Sequence, residues 1–127
     1  MSDPAALKAP KRIFTVAGIY GLIVLLPLYF GEHALAAMGQ VLTKPEYYYG
    51  FIGAAVSFQL VYLTIGRDPL RFRPLMPLTL IAKLSFTIPV AILFLAGRVD
   101  LITVIMASID ALIGLAFLWA WRITPVA

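Results

Sequence analysis

Apolar positions along the chain gather into four blocks, Ile13 to Phe30, Tyr47 to Ile65, Leu78 to Ala96 and Leu101 to Trp121, separated by short polar or charged stretches. Each block is about 20 residues long, the length at which a helix rising ~1.5 Å per residue crosses a ~30 Å hydrocarbon layer. The first two blocks carry no charge and the last two carry one each. Segments this apolar have no polar face to offer water. In lipid they must satisfy their own backbone hydrogen bonds, which a helix does within itself. The pattern therefore predicts an all-α, polytopic membrane protein: a four-transmembrane-helix antiparallel bundle forming a single domain over residues 1–127. Its helices are expected near 13–30, 46–66, 77–97 and 100–121, behind a short basic arm at 1–12.

Residues between the blocks mark where helices start and stop. Thr43-Lys44-Pro45-Glu46 reads as a capping box, with the Thr43 hydroxyl and Glu46 carboxylate serving free backbone amides and Pro45 harmless in the first turn. Asp100 is placed to cap the fourth helix, Pro77 suits the first turn of the third, and Arg67-Asp68-Pro69 closes the second. Pro27 and Pro89 fall inside blocks and are expected to kink helices one and three. The stretch Ala34 to Val41 reads as a further turn or two of helix lying on the outer surface. The first block follows Lys8, Lys11 and Arg12, as the apolar core of a signal peptide would. Its length and the unsuitable Gly31-Glu32-His33 behind it favour a retained anchor.

Composition sharpens this picture. The chain is 62% hydrophobic and 13% charged, too little charge for a water-soluble shell, and its net charge is +4. The basic residues are spread over connections and do not form a stripe with interleaved aromatics, so nucleic acid is not expected and the lipid bilayer is the partner they suit. With no cysteine there is no disulfide, thiolate metal site, iron–sulfur cluster or covalent haem. Seven Lys and Arg, at 8, 11, 12, 67, 71, 73 and 122, fall on one side of the expected bundle, against Lys44 and Arg98 on the other. The positive-inside bias then places both termini in the cytoplasm, in a multi-pass protein of the cell inner membrane. Tyr47, Tyr48 and Tyr49 would mark the outer interface, and Trp119 and Trp121 the inner one.

Candidate chemistry lies where charge is costly. Lys83 falls roughly 10 Å inside the third helix and Asp110 near the middle of the fourth. Insertion scales put each charge at ~3 kcal/mol at a helix centre, so each needs a partner. The two helices are joined by a very short turn, and the ~7 Å difference in depth is within reach of a lysine stem. An ion pair is the expectation. Thr79, Lys83 and Thr87 share one helical face, as do Thr103, Asp110 and Gly114, and Gln59 falls near the depth of Lys83. Lys83, Asp110, Gln59, Thr87 and Thr103 thus form the candidate intramembrane site. Two readings of it stand: a lock that orients helices, or a proton-responsive or ligand-binding site. Glu32 and His33, at the outer end of helix one, are a second candidate site. They are too few for a metal or haem centre and are read as solvated interface residues. No cofactor is expected. Ala17/Gly21, Gly50/Ala54, Gly53/Ser57 and Ala107/Ala111 are small-xxx-small pairs that allow close helix approach.

No phosphate loop, HExxH, Ser–His–Asp order or paired intramembrane carboxylate occurs, so nothing supports catalysis. At Tyr48-Tyr-Gly-Phe-Ile-Gly, Leu63-Thr-Ile-Gly-Arg-Asp-Pro and Leu95-Ala-Gly-Arg-Val the chain resembles the small four-helix bacterial membrane proteins grouped as DoxX-like. The resemblance implies a bacterial four-helix bundle. Some members of that group are similar to quinone-linked oxidoreductase subunits, and the motifs transfer no catalytic residue. Small multidrug transporters share the helix count, but helix one here lacks their central acidic residue. The expectation is a non-catalytic membrane protein, either a homo-oligomer or an accessory subunit of a larger inner-membrane complex. The alternatives are a small proton-linked carrier using the same polar residues and a quinone-linked membrane subunit.

Overall fold

Charged residues flanking an apolar block can stay helical while their heads reach the headgroup layer, and this moves the first helix well outside its block. The computed structural model describes residues 4–126 and contains no strand among them. Helix α1 runs Lys8–Leu25, entered from a 3-10 turn at Pro4–Leu7. Lys8, Lys11 and Arg12 are therefore part of the first helix and not a separate arm. Pro10 is tolerated there because amides in a helix's first turn have no intrahelical partner to lose. At the other end α1 stops short of its apolar block, giving way at Leu26–Phe30 to a 3-10 turn with Pro27 in its opening positions.

A six-residue helix, α2 (Glu32–Ala37), and Gly39 at φ +84° lead to α3 (Pro45–Arg67). The expected Thr43 capping box does not form. Lys44 is the N-cap, at φ −130° and ψ 70°, and no side chain accepts from the first turn. The cause is Pro45: a residue before proline is pushed out of the helical region, so Lys44 cannot serve as the first helical residue behind a Thr43 cap. After a loop, α4 (Met76–Leu95) starts with Pro77 in its first turn and continues through Pro89. Gly97, at φ +70°, turns the chain toward α5 (Leu101–Ile123). A left-handed residue just past a helix costs glycine little, and the Arg98 amide returns to the Leu93 carbonyl at 2.9 Å. Asp100 then caps α5, accepting from the Thr103 amide at 2.8 Å.

Four stretches, Ala5–Phe30, Pro45–Arg67, Arg73–Leu95 and Leu101–Ile123, are long and apolar enough to cross a membrane. α1 packs along α3 and α4 along α5; α1 also touches α5, while α3 and α4 barely meet. The helices therefore neighbour one another in the order α3, α1, α5, α4. Burial is uneven along their length. Near the Lys11, Gly66, Arg73 and Thr124 end, here the basic end, an aromatic plug fills the centre. Phe14 stacks on Phe117 with ring centroids 4.4 Å apart, and Tyr62 leans on Phe117 at 4.8 Å. Ala17, Ile65, Met76 and Ala120 complete that core. Toward the Tyr29, Tyr48 and Tyr49 end, here the tyrosine end, the buried helix residues are few: Ile52, Val90 and Ala107.

Each end has its own fastening. At the basic end the Arg73 guanidinium donates to the Thr124 carbonyl at 2.8 Å and the Trp121 carbonyl at 3.3 Å, and lies over the Trp121 ring. A cation on the last carbonyls of α5 both satisfies them and opposes the negative end of the helix dipole. At the tyrosine end Tyr48 donates to the Leu28 carbonyl at 2.6 Å, tying α3 to the turn that follows α1.

Candidate functional site

Lys83 and Asp110 are the charged residues inside the apolar blocks, and α4 and α5 bring them together. Lys83 Nζ lies 3.0 Å from Asp110 Oδ1, with the lysine side chain 11% exposed and the aspartate 30%. The lysine comes close because Gly114, one turn from Asp110, presents no side chain: a Cβ there would stand 3.4 Å from the Lys83 Cβ. The ammonium also faces an aromatic ring, 5.4 Å from the Tyr62 centroid. A ring face attracts a cation, and more strongly where water is thin. Tyr62 is the member of this cluster that sequence reasoning missed. Its signal was position: it lies one turn from Gln59, on the inward side of α3.

The other candidate residues are placed differently. Gln59 is buried, but its amide donates to the Ala55 carbonyl of its own helix at 2.9 Å. Its side chain fills the space over Gly21 of α1, so it belongs to the α1–α3 seam and not to the ion pair. Thr103 also leaves the site. Its hydroxyl donates to Asp100 Oδ1 at 2.6 Å, reinforcing the helix cap, because an acceptor three residues away outcompetes one two turns deeper. Those hydrogen bonds hold the Asp100 carboxyl below the usual carboxylate range, the Thr103 hydroxyl contributing most. Thr79 is buried beside the pair and donates to the Met76 carbonyl at 2.6 Å. Thr87, one turn along α4 from Lys83, is half-buried on the wall of a cavity of about 220 Å³ between α4 and α5, shared with Val90, Ala107 and Ser108.

At the tyrosine end Glu32 and His33 part company. Glu32 is half-buried and accepts from the Tyr49 hydroxyl at 2.8 Å, so it is a fastening rather than a freely solvated carboxylate. His33, its neighbour, is exposed. Among the described residues no three His, Cys, Asp or Glu side chains come together as metal ligands. A second, larger groove of about 470 Å³ runs between α1 and α5, lined by Ile13, Val16, Ala17, Tyr20, Ile109 and Ile113. Comparison with protein-family models, with curated proteins and with solved structures gives no significant match to this chain.

Proposed function

We propose that the chain is a non-catalytic, multi-pass protein of a bacterial inner membrane. Its four spanning helices run antiparallel with both termini cytoplasmic, and it works as a homo-oligomer or as an accessory subunit of a larger membrane complex. The Lys83–Asp110 contact carries this reading. It is a closed pair at 3.0 Å between two adjacent helices, and no fully buried side-chain nitrogen or oxygen among the described residues lacks a partner. A pair of this kind fixes the register of α4 against α5, a use for which buried ionic groups are well suited. The resemblance to DoxX-like proteins agrees with the size and helix count.

The test is a substitution cycle. Lys83→Leu or Asp110→Met alone leaves one charge in hydrocarbon and is expected to cost about 3–5 kcal/mol of bundle stability, whereas the double replacement costs far less. Thermal unfolding in mild detergent, with co-purification of partner subunits, reads both. A double variant that fails to fold or assemble as badly as the singles would overturn the proposal. A second reading, a proton-linked carrier, draws on the 30% exposure that Asp110 keeps beside its partner. It requires solute uptake in vesicles that disappears in Asp110→Asn.

A further inference from the structure

The groove between α1 and α5, about 470 Å³, has side chains that are apolar except for the Tyr20 hydroxyl. Ile13, Val16, Ala17 and Tyr20 form one wall, and Ile109, Ile113 and Ala116 the other. Phe14 stacks on Phe117, so the Ile13 and Ala116 ends of these walls lie toward the basic end. From Ile13 to Tyr20 a helix rises ~10 Å, less than half of a ~30 Å hydrocarbon layer. Starting where the first apolar block starts, the groove lies within a single leaflet.

Its mouth is charged. Along α1, Arg12 stands one turn before Val16 and Lys8 one turn before Arg12, so the exposed rim of the groove runs on into two exposed cations. Neither pairs with a carboxylate among the described residues. Asp68, the acidic residue described at this end, accepts from the Arg71 amide instead. On α5, Trp119 follows Ala116 by one turn and is 53% exposed, which sets an indole N–H beside the same mouth. Tryptophan favours the headgroup level, where its ring is half apolar and half wet.

We propose that this groove holds one acyl chain of an anionic glycerophospholipid from the leaflet at the basic end, with the lipid phosphate at Arg12 and Lys8. Charge selects that occupant. A zwitterionic lipid can fill the apolar walls but brings no net charge to the two cations, whereas an anionic headgroup neutralises them. A second copy of this chain is a poorer match. Copies in one membrane are related by an axis along its normal, so a symmetric contact through this face sets Arg12 and Lys8 of one copy beside those of the other. The site rests on the membrane-embedded bundle proposed above and adds a specific lipid to it.

Phosphatidylglycerol and phosphatidylcholine with the same chains are the probes. Native mass spectrometry of the full chain, in mild detergent holding both lipids in equal amounts, is expected to show one retained phosphatidylglycerol, preferred by about tenfold. Lys8→Gln with Arg12→Gln should bring the preference within about twofold. Arg67→Gln with Arg71→Gln, an equal loss of charge away from the groove, should leave it near the original value. Val16→Phe, which narrows the groove from its rim, should lower retention of both lipids by about threefold or more. All these positions are exposed, so the variants are expected to fold. No preference, an equal loss in the two double variants, or unchanged retention in Val16→Phe would overturn the site and leave the bundle standing. Dimers of the unsubstituted protein that Val16→Phe breaks would do the same, because a second copy then fills the groove. A chain that stays dissolved and monomeric without detergent would overturn the bundle and the site together.

Discussion

At the scale of single residues, close approach decides more than polarity does. Gly66 of α3 sits against α1, where an added Cβ would stand 3.0 Å from the Thr15 backbone nitrogen and 3.3 Å from the Lys11 carbonyl oxygen. Backbone cannot yield as a flexible side chain can, so Gly66→Ala is expected to destabilise the bundle by about 1–3 kcal/mol. Gly50→Ala, where a Cβ meets nothing within 4 Å, should stay within about 0.5 kcal/mol of the unsubstituted protein. Thermal unfolding of the two variants side by side checks the contrast, and equal effects would mean that α1 and α3 do not approach so closely. The same principle explains which site residues were legible in the sequence. Lys83 and Asp110 were found because a charge inside an apolar block has few ways to be satisfied, and a neighbouring helix supplied one. Gln59 and Thr103 were misassigned because a neutral polar side chain has a cheaper choice. Gln59 bonds the Ala55 carbonyl one turn away and Thr103 bonds Asp100, and hydropathy does not distinguish such local partners from a distant one.

At the scale of elements, the four apolar blocks translated into helices because length and scarcity of charge leave a lipid-embedded chain little else to be. The ends followed different physics. Proline set two of them, ending the α-helical part of the first span before Pro27 and keeping Lys44 out of the helix ahead of Pro45. The Asp100 cap was readable, since an acidic residue immediately before an apolar run matches the unpaired amides of the first turn. Its carboxyl is held below the ordinary value mainly by Thr103, so the folded state binds that proton less readily than the unfolded chain. The cap's contribution is therefore complete above the unfolded value near pH ~3.9 and is lost as pH falls through the lower folded value. Asp100→Asn keeps an acceptor for the Thr103 amide but cannot titrate. Compared over pH 6 down to about 2.5, the unsubstituted protein should lose more of its thermal stability at the acid end than Asp100→Asn does. Parallel curves for the two would remove the cap from the account.

At the scale of the whole molecule, the neighbour order α3, α1, α5, α4 was beyond reach of the sequence, because lipid-facing and helix-facing apolar residues are chemically alike. Charge distribution is a better guide to what surrounds the bundle. The basic end carries Lys8, Lys11, Arg12, Arg67, Arg71, Arg73 and Arg122, and each cation beside an anionic leaflet is worth about 1 kcal/mol. The opposite loops offer Lys44 and Arg98 against Glu32, Glu46 and Asp100, a balance with no such preference. If that asymmetry orients the protein, an even number of crossings must leave Lys8 and Arg122 on one face and Gln40 on the other. The absence of cysteine makes the question direct, since a single introduced thiol is the sole target for a reagent that cannot cross the membrane. In intact cells Gln40→Cys should label, while Lys8→Cys and Arg122→Cys should label only after the membrane is opened. Lys8→Cys and Arg122→Cys reacting from opposite faces would require an odd number of spans, and the four-helix topology would fall. Both reacting from outside would keep the bundle but invert it, leaving the positive-inside bias overruled in this protein.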